Sequence, residues 1–94
     1  MKIIISNSAH KSLIKINKAD SKSADKIQFF LDNLAQAKQP KSLPNGEKMK
    51  GYDDDRYRWR VGNYRVIGIV KDKELIIEII KISTREGAYK GGEN

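Results

Sequence analysis

The sequence predicts an α+β domain in the order β-α-α-β-β-β, with an N-terminal helical hairpin packed on one face of a mostly antiparallel four-stranded sheet. Three stretches carry that prediction. Two apolar stripes at helical spacing run through residues 9–34, and the segment RYRWRVGNYRVIGIV (56–70) reads as strand, turn and strand. LIIEIIKI (75–82) is almost unbroken apolar and suits a strand interior to the sheet, covered at least partly on each side.

Taken in order, Met1 to Ile5 reads as a short strand, with β-branched Ile3, Ile4 and Ile5. Ser6, Asn7 and Ser8 after it are each good helix N-caps. Ala9, Leu13 and Ile16 then recur at helical steps up to Asn17, with His10, the chain's only histidine, in the first turn as a surface residue. Lys18 to Asp20 breaks the helix, and Asp20 or Ser21 can cap the next one. In that second helix Ala24, Ile27, Leu31 and Leu34 form the stripe with Phe30 beside them. The stripe closes by Gln39-Pro40, because proline disfavours helix in the residue before it. Helices joined by so short a link form an antiparallel hairpin facing one sheet.

Lys41 to Asp55 reads as a connecting segment, with a turn signal at Asn45-Gly46 and Met49 as its apolar anchor. Asp53, Asp54 and Asp55 end a solvated loop or offset the arginines that follow. Consecutive strand residues cannot converge on one metal ion. From Arg56 the side chains alternate. Arg56, Arg58 and Arg60 face one way; Tyr57, Trp59 and Val61 face the other, toward a core. Gly62-Asn63 is the turn, with Arg65 just past it at the mouth of the buried run VIGIV. Lys71-Asp72-Lys73 makes the last hairpin turn, and Glu78 interrupts the final strand to reach a basic neighbour or an edge.

Ninety-four residues with no repeat or linker make one domain, 1–94. The absence of cysteine excludes disulfides and thiolate metal sites. No apolar run reaches the roughly 18 residues of a membrane span, and MKIIISNSAH has too short an apolar core for a signal peptide. A cytoplasmic location is the default expectation. A formal charge of +7 favours an acidic partner, nucleic acid or protein. Arginine is the residue best suited to phosphate, since its rigid fork of donors fits phosphate oxygens and it cannot lose its charge.

The order of elements, with MKG (49–51), YRWRVGNYRV (57–66), an apolar strand and TREGAY (84–89), resembles the RelE/ParE superfamily of bacterial toxins across nearly the whole chain. The resemblance to RelE-type members implies a metal-independent endoribonuclease without cofactors, which cleaves messenger RNA in the ribosomal A site and is neutralised by a cognate antitoxin. It implies attack of a ribose 2′-hydroxyl on the adjacent phosphate, leaving a 2′,3′-cyclic phosphate and a 5′-hydroxyl. The catalytic positions of that family fall on Arg58, Arg60, Arg65, Arg85 and Tyr89, and Lys48, Lys50 and Arg56 are expected to bind RNA. Similar enzymes favour lysine on the second strand, and here both matched positions are arginine. Arginine cannot act as a base near neutral pH. With the carboxylates expected elsewhere, Lys48, Lys50 or Tyr89 is left for proton transfer. Two alternatives share the fold: a ParE-like inhibitor of DNA gyrase, and a non-catalytic domain that binds RNA or the antitoxin. Arg85 and Tyr89 together argue against the gyrase reading.

Overall fold

A computed structural model describes residues 1–84 of the chain. The observed order is β1 (Lys2–Ile5), α1 (Asn7–Ala19), α2 (Ser21–Gln36), β2 (Gly46–Lys48), β3 (Arg56–Val61), β4 (Tyr64–Lys71) and β5 (Ile76–Thr84). Short 3₁₀ turns lie at Pro40–Ser42 and Asp72–Glu74. The sheet order is β1-β5-β4-β3-β2, with β1 parallel to β5 and every other pair antiparallel. The α+β class stands, but the sheet has five strands rather than four. The additional strand is Gly46–Lys48, inside the segment read as a connection. Three polar residues at a sheet edge carry no apolar alternation, and their Asn-Gly start imitates a turn.

The helical hairpin turns on one residue. Asp20 ends α1 by donating its N–H to the Ile16 carbonyl at 2.7 Å. Its carboxylate then caps α2, accepting from the Ser23 N–H at 3.2 Å and the Ser23 hydroxyl at 2.6 Å. Those two bonds, ahead of Lys26 and Lys22 nearby, hold its pKa below the ordinary aspartate value. Ser6 caps α1 by accepting from the Ala9 N–H at 3.1 Å. No helix among the described residues is long and apolar enough to cross a membrane.

Both helices press their stripes on the same sheet face. Ala9, Ile16, Ala24, Ile27, Leu31 and Leu34 meet Tyr57, Trp59, Val66, Val70, Ile77, Ile79 and Ile82 in one core. Trp59 is its centre. The indole is fully buried, stacks with Tyr57 at 5.8 Å, tilts against Phe30 at 6.1 Å, and donates to the Pro40 carbonyl at 3.4 Å. Pro40 and Leu43, rather than Met49 alone, therefore seat the segment before β2.

The register of β5 explains its unbroken apolar sequence. Ile67 pairs with Lys81 while Gly68 pairs with Ile79, so β5 carries one extra residue, Ile80. This bulge lets Ile77, Ile79 and Ile82 all face the helices although their spacing changes from two to three. Leu75, read as part of the strand, instead closes the preceding turn at φ 57° and is exposed. Glu78 does reach a basic neighbour, Lys71, at 3.7 Å.

The arginines stand on the other face of the sheet, which no helix covers among the described residues. Burial along β3 alternates as the sequence predicts, with Tyr57 and Trp59 buried between arginines that are not. Gly62 takes φ +59° at the first position of the two-residue turn, which keeps β3 and β4 tightly paired.

Candidate functional site

Cross-strand register builds the site. The tight turn at Gly62-Asn63 sets Arg60 directly opposite Arg65, and the β2–β3 pairing sets Glu47 directly opposite Arg58. Residues opposite one another in an antiparallel pair share a face, so all four side chains stand on the side of the sheet opposite the two helices. They line a cleft of about 270 Å³ whose other wall is the Pro44–Gly46 backbone. Two bonds fix that wall to β3: the Arg60 N–H donates to the Asn45 carbonyl at 2.9 Å, and the Asn45 side-chain amide donates to the Arg60 carbonyl at 2.8 Å.

Like charges opposed across a strand pair repel, and Arg65 is only 7 % exposed, the one charged side chain buried among the described residues. Its guanidinium donates to the Tyr64 carbonyl at 3.3 Å. Arg60 is exposed. Arg58 donates to the Glu47 carboxylate at 3.0 Å. A concave site with three guanidinium groups and one carboxylate is suited to an anion bearing several oxygens, beside a group able to accept a proton.

The other expected site residues fall differently. Arg56 lies on the same face but outside the cleft, forked onto Asp54 at 2.9 and 3.3 Å and stacked over Tyr52 at 4.0 Å. The bond to Asp54 raises its pKa further. Lys48 pairs with Tyr57 in register, which points it to the helix side, where its ammonium meets Asp55 at 3.3 Å. Lys50 is exposed in the turn before β3 and does not line the cleft. Arg85 and Tyr89 lie outside the described residues.

Glu47 is the residue the sequence reading missed. The sequence leaves no carboxylate at the site for proton transfer, and the structure corrects this by placing Glu47 in the cleft against Arg58. Its camouflage was the Asn-Gly dipeptide, which made the segment look like a turn. One signal was available: Glu47 is the sole acidic residue between Asp32 and Asp53.

The aspartates before β3 serve the fold. Asp54 offsets Arg56, and Asp55 joins Lys41 at 2.8 Å and Lys48. Lys41 also contacts Asp72, tying the segment before β2 to the β4–β5 turn. Hydrogen bonds to Asp55 and then Asp72 push the Lys41 pKa up, and the Lys41 bond first holds the Asp55 pKa down. A depressed carboxylate pKa contributes stability present above its unfolded value near 3.9 and lost as pH falls through the folded value. A raised lysine pKa contributes stability present below about 10.4 and lost only at higher pH. Lys41→Gln should therefore lower the thermal midpoint at neutral pH. It should also reduce the loss of stability below about pH 4, as urea titrations at pH 7 and pH 3 would read.

The chain matches ParE toxins of type II toxin–antitoxin systems over residues 3–89 and belongs to that family. It is a toxin of the RelE/ParE superfamily. A candidate RelE1 toxin of Methanocaldococcus jannaschii is 35% identical over 82 residues, covering 86% of this chain and 90% of the relative. Among solved structures, the archaeal RelE–RelB complex from Pyrococcus horikoshii OT3 matches at 32% identity and TM-score 0.71, over 89% of this chain and 93% of that one. The YoeB/ParE toxin from Agrobacterium tumefaciens, at 18% identity and TM-score 0.75, covers 90% of this chain and 99% of its own, and shares the fold.

Proposed function

We propose that this toxin is a ribosome-dependent endoribonuclease that cuts messenger RNA in the A site and is held inactive by a cognate antitoxin. The observation that carries the reading is the pairing of Arg60 with Arg65, and of Glu47 with Arg58, around one cleft. The ribose O2′ forms a bond to the adjacent phosphorus as the bond from phosphorus to O5′ breaks. Glu47 takes the proton leaving O2′, and water returns one to the departing 5′ oxygen. Arg58, Arg60 and Arg65 stabilise the negative charge that builds on the non-bridging oxygens. Arg85 and Tyr89 are assigned to the same reaction by resemblance, as a further clamp and as a base-stacking or proton-transferring group. The complexes of related toxins with RelB support an antitoxin as partner here.

The test is primer extension on a defined message held on ribosomes with a vacant A site. The expected result is a sharp new 5′ end within the A-site codon. It should be absent on free RNA and absent with an Arg65→Ala, Arg85→Ala double variant whose folding is verified by circular dichroism. The match to ParE toxins favours a second reading, inhibition of DNA gyrase. Uncut message together with blocked supercoiling would establish that reading instead.

A further inference from the structure

The cleft already contains an anion of its own. The Glu47 carboxylate accepts from the Arg58 guanidinium at 3.0 Å, and a carboxylate presents to arginine the same pair of oxygens that a phosphate does. We propose that Glu47 is a displaceable stand-in for phosphate at Arg58, so that an arriving RNA phosphate exchanges places with it. This inference rests on the reading of the cleft as an RNA site.

Three features favour exchange over a permanent pair. Glu47 belongs to a three-residue strand at the sheet edge, and among the described residues no strand lies on its outer side. Its side chain is 72% exposed while that of Arg58 is 21% exposed, so the carboxylate can swing to water as Arg58 stays in place. Arg60 and Arg65 line the same cleft, so a phosphate reaching Arg58 meets three guanidinium groups where Glu47 meets one. The exchange does two things at once: Arg58 acquires the phosphate, and Glu47 is released beside it to accept a proton. An empty site would then hold its base engaged, and only a correctly seated phosphate would free it. Glu47 is in this sense a positioning residue for Arg58 before it acts on substrate.

The test is a double-mutant cycle on binding. A trinucleotide methylated at every 2′-oxygen cannot be cleaved, and its affinity can be followed by NMR titration of the wild-type chain, Glu47→Gln, Arg58→Gln and the double variant. Neutralising the competitor should tighten binding about two- to five-fold, the scale of one exposed ion pair. In the Arg58→Gln background the same change should have no effect. Equal affinity of the wild type and Glu47→Gln, including no detectable binding by either, would overturn the exchange. So would equal tightening in both backgrounds, which would mark a general charge effect. Because the readout is binding, a chain that follows this cycle yet cuts no message would sink the nuclease reading alone.

Discussion

Glu47→Gln should lower the rate of message cleavage by about 10²- to 10⁴-fold, the usual worth of a positioned general base. Glutamine keeps the side chain's shape and can still accept a hydrogen bond from Arg58, but it cannot take the proton from O2′. Single-turnover cleavage of ribosome-held message isolates that step from binding and product release. Because Glu47 is exposed, the substitution leaves the core untouched, and a large loss does not come from unfolding. A loss below about tenfold would move the base elsewhere. Lys48 would then be a poor substitute, since it faces the helix side and pairs with Asp55.

That prediction could not have been made from the sequence, and the reason is physical. The helices, β3, β4 and β5 are legible because each buries a face and so prints a period on the chain. Ala24, Ile27, Leu31 and Leu34 do this for α2, and Tyr57 and Trp59 for β3. The alternation put Arg58 and Arg60 on one face, the turn put Arg65 beside them, and the resemblance singled out all three; the structure lines one cleft with them. β2 buries no side chain of its own, so it left no period, and with it the partner of Arg58 was hidden. Long-range register is a tertiary property. Glu47 and Arg58 are eleven residues apart, and only the edge pairing makes them neighbours. Arg56, Lys48 and Lys50, expected to bind RNA, lie outside the cleft, two of them paired with aspartates and the third in an exposed turn.

Gly46→Ala should destabilise the domain by about 1–3 kcal/mol, the range for overpacking a core, and lower its melting point by about 4–8 °C per kcal/mol. Gly46 has no left-handed backbone to explain it, so its importance is a matter of space. A Cβ there would stand 2.5 Å from Trp59 Cδ1 and 2.6 Å from Nε1, distances that force something to move. The indole cannot yield easily, because it is wholly buried and held by Pro40, Phe30 and Tyr57. The strand that yields is β2, a short edge, and Glu47 goes with it. The variant should therefore lose cleavage at temperatures where it is still folded. Gly68→Ala is the control: its Cβ would meet Ile79 Cδ1 and Trp59 Cζ3 at 3.0 Å, crowding the same indole from β4 without touching β2. If both variants are destabilised but only Gly46→Ala also loses activity while folded, the tryptophan that organises the core also sets the position of the cleft wall. Equal activity of the two folded variants would separate core from site.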